Sequence, residues 1–160
     1  MRLLLYSLII FIGIAGFIGC GEEDMLPTEL PLDSPVNIRW KLEAFGVVTD
    51  DGRFNTASVS SKKPEPADQG AYVLHLKTDK TFSGTSASNT IAGEYTINER
   101  QLSFQNMTMT ERFEVGDGKR YIENLKNVQS YAVSYVESTK ILRLYYTDDK
   151  KQYLQYKEQK

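Results

Sequence analysis

From Ile38 to the C-terminus, apolar and polar residues alternate in short bursts. Such a period of two is typical of strands that bury one face. Ile38, Trp40 and Leu42 share a face of the first predicted strand, and Asp50-Asp51-Gly52 marks the turn after it. This pattern limits the chain to folds built from short, mainly antiparallel strands.

Two later hairpins can be given a register, because each must bury one set of apolar side chains. Thr78-Asp79-Lys80 turns the chain in the first hairpin, and Glu99-Arg100 turns it in the second. The predicted cross-strand pairs are Leu76–Phe82, Tyr95–Phe104 and Ile97–Leu102. Between the hairpins, Gly84, Ser86 and Ser88 are small enough for a bend or a close approach of another element.

Two loop lengths can be considered for the last hairpin, and the face on which Leu154 lies decides between them. A three-residue loop at 148–150 pairs Leu144 with Leu154, whereas a two-residue loop would move Leu154 away from the buried face. The chosen register places Tyr145 beside Tyr153 on the opposite face. These two tyrosines are interpreted as a cross-strand pair, with an outward contact patch as the alternative.

Only one segment follows the helical period. Between Asp117 and Gln129, Tyr121, Leu125 and Val128 form an apolar stripe, which predicts a helix packed against the core. Residues 57–70 read as a long surface loop. The fold class predicted for residues 37–160 is therefore α+β and mostly antiparallel, a curved sheet or partial barrel of about 7–8 strands with one packed α-helix.

The first 19 residues have the composition of a bacterial signal peptide. Arg2 supplies a positive charge, a short apolar run follows, and Phe17-Ile18-Gly19-Cys20 resembles the lipobox of bacterial lipoproteins. Processing at this motif would leave Cys20 as a lipidated N-terminus carrying acyl chains such as palmitate. A single-pass helix or a plain secretory signal is the alternative.

Residues 20–36 are predicted to form the lipidated N-terminus and a flexible tether, because prolines interrupt any regular element there. Glu22, Glu23 and Asp24 resemble the acidic signal that sends lipoproteins of the Bacteroidetes to the cell surface. A solvated spacer is the alternative reading. The expected location is the outer membrane, on its periplasmic face or at the cell surface.

The net charge and the cysteine content limit which kinds of partner and which covalent cross-links we expect. After removal of residues 1–19, the chain has 18 basic and 21 acidic residues, which gives a net charge of −3. No basic stretch remains that would follow a phosphate backbone, so nucleic acid is not an expected partner. Cys20 is the only cysteine, so the domain is predicted to fold without an internal disulfide.

Candidate catalytic residues are few. The only histidine, His75, lies on the polar face of its predicted strand. A single histidine cannot form a metal site without carboxylate or thiol ligands beside it. Glu111, Glu114 and Asp117 could supply paired carboxylates, but a solvated approach to the helix is the preferred interpretation. No phosphate-binding glycine loop is present. We therefore expect no enzymatic activity, no cofactor and no metal.

Several loose motifs, taken in order, resemble the META domain. They are Trp40-Lys41-Leu42, Phe82-Ser83-Gly84, Ser88-Asn89 with Ile91, Gly93-Glu94-Tyr95, Leu102-Ser103-Phe104 with Thr108 and Thr110, the helix stripe, and Leu142-Arg143-Leu144. The resemblance covers about residues 38–156. It implies a compact antiparallel domain, often found in envelope lipoproteins, and it carries no known active-site residues. The resemblance also implies a cysteine in many relatives where this chain has Ser88, so a disulfide of that family is absent here.

These observations favour a lipid-anchored envelope lipoprotein whose domain is a non-catalytic binding or structural module. Its expected partners are the membrane, through the lipid on Cys20, and another envelope protein. The first alternative is a lipocalin-like carrier of a small apolar ligand, which requires an open interior. The second is a hydrolase that uses His75.

Overall fold

The computed structural model describes residues 33–59 and 70–160, and these form nine strands and one helix. The strands are β1 (Arg39–Val48), β2 (Phe54–Ser58), β3 (Val73–Leu76), β4 (Thr81–Thr85), β5 (Thr90–Asn98), β6 (Gln101–Met109), β7 (Ser130–Val136), β8 (Thr139–Tyr145) and β9 (Gln152–Glu158). The helix α1 (Gly118–Lys126) lies between β6 and β7. The predicted class, a mostly antiparallel curved sheet with one packed helix, is confirmed.

All strand pairings are antiparallel. Neighbouring strands in the sheet also follow one another in the chain, except at β1, which pairs with β3 and β9 as well. On one side, β1 pairs with β9 along most of its length. On the other side it pairs first with β3 and then with β2. The sheet is therefore ring-like, closed by β1 and β9, and nearly parted between β6 and β7, where only Gln101 and Ser130 are paired.

The predicted registers are confirmed. Leu76 faces Phe82, Tyr95 faces Phe104 and Ile97 faces Leu102. In the last hairpin Leu144 faces Leu154, as the three-residue loop requires. Gly84 does allow a close approach, because a Cβ there would lie 2.3 Å from the carbonyl oxygen of Val73.

One strand was not predicted. β2 includes Ala57 and Ser58, which had been assigned to the loop 57–70, and all five of its residues are exposed. A strand with no buried face has no alternation by which to recognise it. Residues 60–69 of that predicted loop lie outside the described residues.

The helix packs as predicted. Tyr121 and Leu125 are fully buried and Val128 nearly so. Asp117 occupies the N-cap position, where its carbonyl, rather than its side chain, accepts the hydrogen bond from the backbone N–H of Tyr121 (2.8 Å). The helix lies beside β6, next to the strand pair that is nearly parted.

A single apolar cluster fills the inside of the ring. Its largest fully buried members include Trp40, Phe82, Tyr121 and Tyr156. Residues at the end of the predicted tether also contact the domain, since the indole N–H of Trp40 donates to the carbonyl of Pro35 (2.8 Å). Within residues 33–59 and 70–160, no helix is long and apolar enough to span a membrane.

Candidate functional site

The loop between β4 and β5 holds the most highly connected polar side chain of the described structure. Asn89 is fully buried. Its amide nitrogen donates to the carbonyl of Arg112 (2.9 Å) and to Oε1 of Glu114 (2.6 Å). Its oxygen accepts from the backbone N–H of Arg112 (2.7 Å) and from Oγ1 of Thr110 (2.9 Å). The side chain thereby uses its full hydrogen-bonding capacity.

Ser86 completes this polar cluster, which we call the Asn89 cluster (Ser86, Asn89, Thr110, Arg112 and Glu114). The hydroxyl of Ser86 accepts from the backbone N–H of Asn89 (2.9 Å) and donates to Oε1 of Glu114. Both ends of the segment 110–114 are thus fastened to the loop 86–89.

Glu114 corrects a prediction from the sequence. We expected the acidic residues before the helix to be solvated, but Oε1 of Glu114 accepts hydrogen bonds in the Asn89 cluster and Oε2 is buried. The carboxylate reaches this place because residue 118 is glycine, where a Cβ would lie 1.9 Å from Oε2. Glu111, by contrast, is exposed. Within the described residues no group of three potential metal ligands forms.

The fastened segment carries an unusually exposed aromatic side chain. Phe113 lies between Arg112 and Glu114 and is 87 % exposed. Backbone hydrogen bonds hold the residue before it, and a side-chain hydrogen bond holds the residue after it. The phenyl ring is therefore presented to solvent from a backbone with little freedom to withdraw it.

Tyr72 lies between the Asn89 cluster and the core. Burial, together with the nearby carboxylates of Asp117 and Glu114, raises the pKa of Tyr72 to about 12. Its ring packs edge-on against Tyr121, with 5.3 Å between the ring centres. The hydroxyl of Tyr121 in turn accepts a hydrogen bond from that of Tyr156 (3.2 Å), and burial raises the pKa of both.

Tyr145 and Tyr153 form the cross-strand pair that the register requires, with ring centres 5.7 Å apart. Tyr153 is fully buried. Its ring lies directly on Gly46, and Phe54 of β2 packs edge-on against it at 5.8 Å. The alternative interpretation, an outward contact patch of both tyrosines, is wrong because the unpredicted strand β2 supplies the ring that covers Tyr153.

Other predicted site residues are placed as follows. His75 is half-buried on β3, with Arg39 opposite on one side and Ser83 on the other. Cys20, Glu22, Glu23 and Asp24 lie outside the described residues. A shallow groove of about 440 Å³ crosses the outer face of β4, β5 and β6, and small residues and threonines line it.

The sequence indicated part of the Asn89 cluster. Ser88-Asn89, Thr108 and Thr110 were among the motifs that led to the family resemblance, but nothing in the sequence joined Asn89 to Arg112, 23 residues away. The exposure of Phe113 gave no signal either, because an isolated phenylalanine in a sequence is usually assigned to the core.

Comparisons with known proteins agree with this fold. An NMR structure of a protein from Burkholderia xenovorans is 23 % identical, covers 78 % of this chain and 83 % of its own, and superposes with a TM-score of 0.54. The crystal structure of a DUF4847 family protein from Bacteroides vulgatus ATCC 8482 is 21 % identical, covers 76 % and 92 %, and gives a TM-score of 0.52. Comparison with curated proteins gives no significant match.

The comparison with protein families gives the more specific result. The family model described as META domain matches residues 46–160, which is most of the chain and includes every residue of the Asn89 cluster. The chain therefore belongs to the META domain family.

Proposed function

We propose that this protein is a lipid-anchored lipoprotein of the bacterial envelope, and that its META domain is a non-catalytic binding module for another envelope protein. The observation that carries the binding role is Phe113, 87 % exposed on a segment that the Asn89 cluster fastens. Because hydrogen bonds hold the residues on both sides of Phe113, a partner that covers the exposed ring has to order that side chain but not the loop, which lowers the entropy cost of binding.

The anchoring part of the proposal rests on the sequence. Residues 1–19 have signal-peptide composition and end at Gly19-Cys20, the small residue and cysteine that lipoprotein processing needs. Several acyl chains on one terminus bury enough hydrocarbon for stable attachment to a membrane. Glu22, Glu23 and Asp24 would then direct the protein to the cell surface rather than the periplasmic face of the outer membrane.

The filled interior supports a binding module over a lipocalin-like carrier. A carrier needs several hundred cubic ångströms of open space inside its sheet. Here Trp40, Tyr121 and Tyr156 occupy the inside of the ring, each fully buried. The helix contributes one of these side chains, so opening the interior would mean displacing α1 from the core.

The polar chemistry of the Asn89 cluster supports a structural role for its carboxylate. Oε1 of Glu114 is engaged by Ser86 and Asn89, and the hydrogen bonds of this cluster hold backbone rather than project functional groups outward. The proposal therefore assigns the cluster to the presentation of Phe113 and not to a reaction.

The test is mild-detergent purification of the tagged protein from its own cells, with the wild type, Phe113→Ser and Val47→Ser compared. Val47 is the matched control, because it is 46 % exposed and lies on a different element. Loss of an interface anchor costs 1–2 kcal/mol or more, so we expect the recovery of one specific envelope protein to fall about tenfold in Phe113→Ser only.

Two results would contradict the proposal. Equal recovery of every co-purifying protein from all three variants would remove Phe113 from any interface. A small apolar molecule retained by all three, without a protein partner, would favour the carrier instead.

A further inference from the structure

We infer that the domain rests on the lipid surface through the end that carries the β7–β8 hairpin, with Tyr135 and Val136 at the membrane interface. This inference rests on the proposed lipidation of Cys20. It adds the orientation of the domain and identifies a second surface, distinct from Phe113, whose partner is the bilayer itself.

The first argument is the place where the chain from the anchor reaches the domain. The carboxylate of Asp33 lies 3.8 Å from Nζ of Lys140, at the start of β8. Pro35 is buried and its carbonyl accepts the hydrogen bond of Trp40, while the backbone N–H of Asn37 donates to Leu76 (2.7 Å). The chain thus joins the domain beside the β7–β8 hairpin.

The second argument is the length of the connection. Twelve residues, 21–32, separate Cys20 from Asp33. Even fully extended, this stretch spans at most about 45 Å. The anchor therefore keeps this end of the domain close enough to the bilayer for repeated contact, at an effective concentration that favours weak surface binding.

The third argument is the chemistry of the hairpin. Tyr135 and Val136 end β7 and are 54 % and 55 % exposed. The ammonium group of Lys140 lies 5.7 Å from the centre of the Tyr135 ring. Tyr135 and Lys140 lie opposite each other on one face of the hairpin, and Val136 points to the other face. A tip that enters the headgroup region end-on therefore places the ring and the valine among the lipids, while the polar ends of the tyrosine and lysine stay hydrated.

The hairpin can also keep these side chains in position. Glu137 and Ser138 both have positive φ, 49° and 72°, as a two-residue type I′ turn requires. β7 and β8 are paired from Val136–Thr139 to Ser130–Tyr145, so the tip is continuous with the sheet. Insertion would therefore not require the tip to fold at the membrane.

The opposite end of the domain carries the proposed protein-binding residue. There, the β1–β2 and β8–β9 turns meet through Asp50 and Lys151 (2.6 Å). The Asn89 cluster lies at the far end of β4 from the turn that follows Leu76. Strand β9 alone separates the two ends by about 20 Å. An orientation with the hairpin on the lipid leaves Phe113 at the end of the domain remote from the bilayer.

The test uses a fluorescent label on single introduced cysteines in the lipidated, full-length protein. Because Cys20 is the only native cysteine and is acylated in the proposal, Val136→Cys and Val47→Cys each introduce one free thiol. Both valines are about half exposed and lie towards opposite ends of the domain. Each labelled protein is reconstituted into vesicles of phosphatidylethanolamine and phosphatidylglycerol whose acyl chains are brominated.

We expect the label at residue 136 to be quenched about threefold more strongly than the label at 47, since interfacial contact buries side chains about 5–10 Å into the boundary between headgroups and acyl chains. Equal quenching at the two positions, or stronger quenching at 47 or at Phe113→Cys, would overturn the orientation. Intact mass measured before labelling keeps the two proposals apart. An unacylated mass refutes the anchor and this inference together, whereas an acylated protein with an unquenched label at 136 refutes the orientation alone.

Discussion

At the scale of single residues, Asn89 has the largest predicted effect on stability. Replacement by Asp keeps its shape but turns two donated hydrogen bonds into contacts between acceptors, at the carbonyl of Arg112 and at Oε1 of Glu114. We expect Asn89→Asp to lower the free energy of unfolding by about 2–4 kcal/mol, as for buried partners left unsatisfied. Urea unfolding measures this loss. Asn98→Asp, at an exposed site, is the control, and equal losses in the two variants would contradict the role of Asn89.

The raised pKa of Tyr72 makes the free energy of unfolding depend on pH in the alkaline range. The pKa of its phenol is about 12 in the folded protein, against about 10 when unfolded. Between these values the unfolded chain gives up the proton while the folded protein keeps it, so stability falls as pH rises from 10 to 12. Tyr72→Phe should show a shallower fall, measured by urea unfolding at pH 8 to 12. An unchanged slope would refute the contribution of Tyr72.

Residue-scale chemistry was the least predictable from the sequence. A carboxylate such as Glu114, next to Phe113 and Val115, looks the same in sequence whether it is solvated or buried against an asparagine. Its environment depends on Gly118, whose missing Cβ makes room for Oε2. That dependence spans a loop and a helix N-terminus, and no local period encodes it.

At the scale of elements, the ring of Tyr153 on β9 packs on Gly46 of β1 and against Phe54 of β2, so it contacts all three strands. A Cβ at Gly46 would lie 2.0 Å from Cζ of Tyr153, and the displaced ring would push against Phe54. We expect Gly46→Ala to cost about 1–3 kcal/mol in thermal or urea unfolding, the usual cost of overpacking. In a Tyr153→Leu background this cost should shrink. An equal cost in both backgrounds would mean that the ring is not the cause.

Element positions were predictable where one face is buried. The pairs Leu144–Leu154 and Ile97–Leu102 followed from the alternation, since a shift of one residue would expose the apolar set. The helix followed from the change of period at Tyr121. Strand β2 did not, because its residues are all exposed and its place is set by pairing with β1 rather than by burial.

At the scale of the whole molecule, closure of the ring between β1 and β9 could not be read from the sequence. It joins strands more than 100 residues apart in the chain, for example at Leu42 and Tyr156, and no local sequence pattern predicts such a pairing. Closure gives the domain two ends, one where residue 33 contacts the start of β8 and one that carries the Asn89 cluster beside Phe113. The proposed function assigns the first end to the membrane and the second to a protein partner.

The anchor is the claim on which the rest of the proposed function depends, and the intact mass of the mature protein from its own cells tests it most directly. We predict a chain that begins at Cys20 and carries acyl chains, recovered with membranes, and an unprocessed precursor for Cys20→Ala. A wild-type mass without acyl chains, or normal processing and membrane retention of Cys20→Ala, would contradict the account.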